Sequence, residues 1–199
     1  LGFKYFWKYK FITNKSVLIP RPDTELIVEE CLKYLPNNKS KKILEIGTGS
    51  GCIIISILKE RSKCVATALD LSNRALNVAK TNAKLHQLEN KINFINIDID
   101  KYKSYNYDLI ISNPPYINNV DLNRLDNDIK FNEPKIALSG GFDGFRDIKK
   151  VIIKSKKLLK RNGKLIIEIG SKQRTQSIKI LNENNFYINK TSTDLSGKD

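Results

Sequence analysis

Lys42-Ile43-Leu44-Glu45-Ile46-Gly47-Thr48-Gly49-Ser50-Gly51-Cys52 is the stretch that decides the fold of this chain. An apolar run that ends in glycines at alternate positions, with Cys52-Ile53-Ile54 directly after, reads as a strand turning sharply into a helix. Glycine lets the backbone turn tightly and lets a ligand come close to it, with helix N–H groups nearby. The spacing is Gly-x-Gly-x-Gly with an acid ahead of it, which departs from the Gly-x-Gly-x-x-Gly of dinucleotide sites. A pyrophosphate would also need room that the bulky Cys52, Ile53 and Ile54 do not leave. The alternative is a tight turn with no ligand. Asp70 argues against that, because it ends the next strand about 20 residues on, where an acid accepts from ribose hydroxyls.

Outward from this loop the pattern alternates. Strands are expected over 42–46, 64–70, 92–98, 107–112 and 164–169, and helices over 52–61, 73–88, 145–161 and 172–184. The strands are mostly continuous apolar runs, which suits strands covered on both faces. The fold class expected is therefore α/β, a doubly wound, mainly parallel sheet. Ala75, Ala79 and Ala83 form a small-residue stripe suited to close packing on that sheet. Arg161-Asn162-Gly163 predicts the end of the third helix, with Gly163 as a left-handed cap. Toward the amino end, Leu18-Ile19-Pro20-Arg21-Pro22 must be extended, since each proline biases its predecessor away from the helical region. Asp23 is placed to cap a helix over 24–35, with Ile27, Cys31 and Leu35 on its buried face. Residues 3–17, aromatic and lysine-rich, suit a short hairpin or linker. The longest irregular stretch, 117–144, is expected to be a lid or binding loop, with a purely structural excursion as the other reading.

A chain of 199 residues holds one well-buried α/β domain, and its 40% apolar and 28% charged content is that of a globular protein. No apolar stretch approaches the roughly 18 to 20 residues of a membrane span. The start, Leu1 to Lys10, mixes aromatics with lysines and lacks the apolar core of a signal peptide. A cytoplasmic location is expected. The sequence contains no Met, so residue 1 is not a natural initiator and a preceding region is expected. Cys31, Cys52 and Cys64 lie in apolar segments without metal-ligand spacing; they are expected to be reduced core thiols, and no metal site is expected. The net charge of +14 suits a nucleic-acid or ribosomal partner. Compositional bias is the other explanation, since Lys, Asn and Ile are abundant throughout and the lysines are dispersed singly. His86, the only histidine, lies at a polar helix end and is expected to be solvated or capping.

The second stretch that carries chemistry is Asn113-Pro114-Pro115-Tyr116, directly after the apolar run Leu109-Ile110-Ile111-Ser112. It sets an amide, two backbone carbonyls and an aromatic ring at the carboxyl edge of the sheet. That set can hold a planar –NH2 group and steer its nitrogen lone pair, which points to alkylation of an amide or exocyclic amino nitrogen. Asp98, ending the third strand, could accept from an adenine amino group, with Asp100 a close alternative.

Together these residues resemble the class I S-adenosylmethionine-dependent methyltransferases. More narrowly, they look like the HemK/PrmC-type peptide chain release factor glutamine methyltransferases. The match is carried by Leu18-Ile19-Pro20-Arg21-Pro22-Asp23-Thr24-Glu25, the loop from Glu45 to Cys52, and Ser112-Asn113-Pro114-Pro115-Tyr116-Ile117. Glu133-Pro134 and Ala137-Leu138-Ser139-Gly140-Gly141-Phe142-Asp143-Gly144 continue it, and Glu168-Ile169-Gly170 and Asp194-Leu195-Ser196-Gly197 fit as well. Asn-Pro-Pro-Tyr is shared with amino-group DNA and RNA methyltransferases, whereas the segment around Arg21 is far more specific.

The resemblance implies a seven-stranded Rossmann-like sheet, with residues 1–22 as a hairpin and linker and 23–199 as the methyltransferase domain. It implies that the family's small helical N-terminal domain, absent from these 199 residues, is expected ahead of Leu1. It implies S-adenosylmethionine as cofactor, held by Gly47, Thr48, Gly49, Ser50, Gly51, Asp70, Asp98, Ile99 and Asn113. Ile99 stands where the family can place an aromatic beside the adenine. The implied partner is a class 1 peptide chain release factor, through the glutamine of its Gly-Gly-Gln tripeptide, with no membrane and no nucleic acid required. Asn113, Pro114 and Tyr116 would be catalytic: the Asn113 side-chain oxygen and the Pro114 carbonyl accept both N–H groups, Tyr116 packs on the flat amide, and Pro115 completes the substrate site. Arg21 and Glu25 either position the cofactor or the lid, or form an ion pair at the helix start. The nearest rival is an amino-group nucleic-acid methyltransferase with base flipping, for which the chain has no room for a target-recognition domain. A non-catalytic cofactor-binding protein would have no need of Asn113 and Tyr116.

Overall fold

The computed structural model describes residues 2–193, so Asp194-Leu195-Ser196-Gly197 lies outside the described residues. Apolar strands that alternate faces need cover on both sides, and the chain supplies it by winding helices onto each face in turn. An antiparallel hairpin, β1 (Phe3–Phe6) and β2 (Tyr9–Ile12), comes first and turns at Trp7, whose φ is 56°. Then follow α1 (Glu25–Tyr34), β3 (Lys42–Ile46), α2 (Cys52–Glu60), β4 (Val65–Asp70), α3 (Asn73–Leu85), β5 (Ile92–Asn96) and β6 (Tyr107–Ser112). Two short helices, α4 (Asn119–Leu122) and α5 (Asn127–Asn132), precede α6 (Arg146–Leu158), β7 (Leu159–Ile167) and α7 (Arg174–Glu183).

The central sheet runs β5-β4-β3-β6-β7, every pairing parallel. The period-2 alternation of a strand sends its side chains to opposite faces. Ile43, Leu109 and Ile111 accordingly pack with α1 and α2 and with Phe6 and Phe11 of the hairpin. Leu44, Ile46 and Ile110 pack with Val151 and Leu158 of α6. Ile43, Leu44, Ile110 and Ile111 are each 0% exposed, and truncating such a residue to Ala typically costs about 2 to 5 kcal/mol. The strand order reverses at β3, where α/β sheets open a crevice at their carboxyl ends. Among the described residues, no helix is long and apolar enough to cross a membrane.

The doubly wound parallel sheet is as expected, and the described residues supply five of its strands; residues 186–193 form none. Two expectations are corrected. The third expected helix ends at Leu158, three residues early, because Leu159 pairs with Tyr107 and the ladder takes over. The left-handed residue there is Asn162, at φ 64°, and not Gly163. Asp23 is exposed and caps nothing: Pro22–Thr24 form a short 3-10 turn that leads straight into α1. The stretch 117–144 holds α4, α5 and a turn at Lys135–Ala137, and its two ends are tied by a parallel bridge between Ile117 and Ser139.

Gly51 starts α2 at φ +79°, and a Cβ there would lie 3.0 Å from Ile55 Cδ1 and 3.3 Å from Ala79 Cβ. Gly51→Ala is expected to lower stability by about 1 to 3 kcal/mol, read as a shift of the urea midpoint. An unchanged midpoint would show that the helix start does not depend on the left-handed conformation.

Candidate active site

The ladder fixes which residues meet. Ile46 pairs with Leu69 on one side and Ser112 on the other, and Ser112 pairs with Ile167. The next residue along each strand is Gly47, Asp70, Asn113 and Glu168. Four elements far apart in sequence thus place their chemistry in one row at the carboxyl edge.

At Gly47 the loop is pinned rather than free. The Gly47 and Thr48 N–H groups both donate to the Leu69 carbonyl, at 2.9 and 3.0 Å. The buried Asn82 side chain donates to the Ser50 and Ile12 carbonyls and accepts from the Ile12 N–H, so the hairpin buttresses the loop. Asp70 Oδ2 accepts from the Gly49 N–H at 2.9 Å, and Oδ1 from the Ser72 N–H at 2.8 Å. Burial raises the Asp70 carboxyl above its ordinary value, and these backbone donors pull it back. Each oxygen keeps a lone pair for a ligand hydroxyl. Glu45 lies beneath the loop, fully buried, and burial pushes it up to about 8 although the Thr48 hydroxyl donates to its Oε2.

Two cavities open along this edge. The first, about 180 Å³, lies over the glycine loop and is lined by Asp70, Leu71, Ile97 and Ile99 among others. The second, about 100 Å³, is lined by Tyr116, Leu125, Ile129, Leu138 and Glu168. Arg21 and Asn113-Pro114-Pro115 line both. These residues form the shared wall between the two spaces.

Asn113 Nδ2 donates to the buried Thr24 Oγ1 at 3.1 Å. Ser112 Oγ anchors the start of the motif on the Ile46 carbonyl at 2.8 Å. Tyr116 lies with its hydroxyl 3.5 Å from Glu168 Oε1, a long contact, and burial beside that acid pushes the phenol up to about 12. Its carbonyl accepts from the buried Gln173 Nε2 at 3.1 Å, which also holds the Gly144 carbonyl at 3.1 Å. Glu168 is pushed up to about 6 by burial, with Thr24, Asn113 and Tyr116 presenting donors that draw it back toward the ionised form. Its Oε2 has no hydrogen-bond partner.

Asp98 and Ile99 both reach the first cavity. The Asp98 carboxylate is bound by Lys150 Nζ at 2.7 Å and accepts from the Asp100 N–H at 2.8 Å, and Lys150 holds it below its ordinary range. Asp100 shares the same lysine at 2.9 Å. Arg21 pairs with the buried Glu133 at 2.5 Å and so ties the segment before α1 to the stretch after β6. Glu25 instead accepts from the Trp7 N–H at 2.7 Å and secures the hairpin. His86 meets the Lys10 carbonyl at 2.9 Å beside Phe11, a structural contact. All three cysteines are buried and free, and among the described residues no acid, His or Cys cluster could hold a metal. Sequence reasoning assigned no role to Thr24, Lys150, Gln173 or Glu168. Only Glu168 left a signal, as the one charge at the end of an apolar strand.

A family model described as the methyltransferase small domain matches residues 24–129. A release factor glutamine methyltransferase of Clostridium acetobutylicum is 36% identical over 98% of this chain and 69% of its own length. Its counterpart in Fusobacterium nucleatum is 37% identical over 100% and 56%. A bifunctional methyltransferase of Rickettsia bellii is 37% identical over 98% and 40%. The chain therefore spans between 40% and 69% of the length of these relatives. In fold it is similar to the ribosomal protein L11 methylase of Lactobacillus delbrueckii subsp. bulgaricus, with a TM-score of 0.65 at 19% identity over 87% of this chain and 74% of that one.

Glu45 has an ordinary value of 4.5, raised to about 8 in the fold. Below 4.5 folded and unfolded chains both hold the proton. Between 4.5 and about 8 the unfolded chain releases it while the folded one keeps it, so stability falls as pH rises through that window. Urea unfolding at pH 5 and pH 8 is expected to show a larger loss for the wild type than for Glu45→Gln. Equal losses would mean that Glu45 is ionised in the fold.

Proposed function

Because the chain belongs to the release factor glutamine methyltransferases, within the methyltransferase small-domain family, we propose that it methylates the glutamine of the Gly-Gly-Gln loop of class 1 peptide chain release factors. The methyl group passes from the sulfonium of S-adenosylmethionine to the side-chain amide nitrogen, the nitrogen gives up one of its two protons to solvent, and S-adenosylhomocysteine is left. The observation that carries this reading is the Asn113-Pro114-Pro115 wall, which faces the cavity over the glycine loop and Asp70 on one side and the cavity beside Tyr116 and Glu168 on the other.

The inner cavity suits S-adenosylmethionine. That cofactor has no phosphate and so needs no pyrophosphate cradle. Asp70 offers a lone pair on each oxygen to a ribose diol, and the glycine loop leaves space beside the backbone for the amino-acid part. Leu71, Ile97 and Ile99 give an aliphatic slot for a flat base, in place of the aromatic stack that the family can use. Asp98 stands at the same rim, its carboxylate shared with Lys150. When bound, the cofactor supplies an electrophilic methyl group on a sulfonium centre.

An amide nitrogen is a poor nucleophile because its lone pair is delocalised into the carbonyl. Asn113 Oδ1 and the Pro114 carbonyl accept its two N–H groups and fix which way the nitrogen faces. The Tyr116 ring packs on the flat amide and limits its rotation. Alignment of this kind can supply several kcal/mol of a barrier. The apolar lining from Leu125, Ile129 and Leu138 excludes water, which favours a transition state of dispersed charge. The surplus of lysines on the rest of the surface is not needed for this chemistry, and nucleic acid is not a required partner.

Asn113→Ala is expected to lower transfer from labelled S-adenosylmethionine to a class 1 release factor by at least about 100-fold, with cofactor binding retained. Asp70→Ala is expected to weaken cofactor binding by about tenfold or more. A release factor with Gly-Gly-Ala in place of Gly-Gly-Gln is expected to stay unlabelled. Near-normal turnover by the Asn113 variant, or labelling of the Gly-Gly-Ala protein, would sink the reading.

A further inference from the structure

An amide clamp has an ambiguity that Asn113 cannot resolve by itself. Its side chain ends in an acceptor and a donor of nearly equal size, and a half-turn exchanges them. With Oδ1 toward the outer cavity the site receives an –NH2 group; with Nδ2 there it receives a carbonyl or carboxylate oxygen. Something behind Asn113 must choose.

Glu168 stands there. It is the first residue after β7 in the row that also holds Asn113, it lines the outer cavity, and its Oε2 is buried without a partner. The Tyr116 hydroxyl stands 3.5 Å from its Oε1, and the Thr24 hydroxyl and the Asn113 amide lie near enough to favour its ionised form. An ionised carboxylate can only accept, so a hydroxyl next to it points its hydrogen at the acid and keeps its oxygen for another donor. Thr24 Oγ1 is placed for this: it takes the Asn113 Nδ2–H at 3.1 Å. The order Asn113, Thr24, Glu168 therefore has one polarity, and it leaves Asn113 Oδ1 for an incoming N–H.

We propose that Glu168 is a positioning residue that sets this polarity and, through Thr24 and Asn113, makes the site select glutamine over the isosteric glutamate. The inference rests on the glutamine methyltransferase reading. A glutamine at position 168 could donate to Thr24, which could then donate to Asn113 Oδ1. The order would reverse, and Asn113 would present Nδ2 to the cavity.

The test is calorimetric binding of a full-length class 1 release factor, and of its Gly-Gly-Gln→Gly-Gly-Glu variant, to enzyme saturated with S-adenosylhomocysteine so that no transfer occurs. The wild type is expected to prefer the glutamine protein by about tenfold or more. Glu168→Gln and Thr24→Val are expected to bring the two affinities within about twofold of each other and to lower kcat more than they raise KM. Thr24→Ser, which keeps the hydroxyl, should retain the wild-type preference. If Glu168→Gln does not fold, the two Thr24 variants decide alone. Wild-type transfer to the glutamine protein, with an undiminished preference in the Glu168 and Thr24→Val variants, would overturn this inference and leave the function standing. Absence of transfer by the wild type would overturn both.

Discussion

The site depends on the register of a parallel ladder. Four strands end at the same level because Ile46, Leu69, Ser112 and Ile167 sit at matched positions across β4, β3, β6 and β7. A slip of one residue in any of them would turn its side chains to the other face and take Asp70, Asn113 or Glu168 out of the row. The register is held from both faces, since successive side chains of β3 and β6 enter separate apolar layers. Core packing and the geometry of the crevice are therefore one constraint. The hydrogen bonds of Gly47 and Thr48 to Leu69, and of Ser112 to Ile46, extend it past the strands into the loops.

The row is acidic in a chain whose net charge is +14. Asp70 and Glu168 in the row are half-buried and Glu45 beneath the glycine loop is fully buried, and burial raises each above its ordinary value. The cations nearest the cavities are engaged: Arg21 with Glu133, Lys150 with Asp98 and Asp100, and Arg146 with Asp147. The overall charge thus describes the outer surface and says nothing of the crevice. A cationic ligand would meet acceptors there, and the lysines dispersed over the helices would stay in solvent.

Much of the crevice was legible in the sequence because its parts are local. Alternate glycines, an acid at the next strand end and Asn-Pro-Pro-Tyr each declare themselves within a few residues, and the ladder brings them together as expected. The helix ends were read less well. The periodicity of α6 continues into residues that the sheet claims through Leu159 and Tyr107, and Asp23 lost its capping role to a 3-10 turn. Supporting contacts were not legible at all. Thr24 meets Asn113 across 89 positions, Lys150 meets Asp98 across 52, and Asn82 meets Ser50 across 32. Arg21 and Glu25, indistinguishable in sequence, separate in space, one facing Glu133 and the other the backbone of Trp7.

The wall between the cavities contains two consecutive prolines, and proline has no N–H to donate. At those two positions the partition offers carbonyl oxygens without a competing backbone donor, and its other donors are engaged, Arg21 by Glu133 and Asn113 Nδ2 by Thr24. It also separates the residues that shape each side. Substitutions at Leu125, Ile129 or Leu138 reshape the outer space and leave the lining at Asp70 and the glycine loop untouched. The outer space can in this way be reshaped without disturbing the inner one.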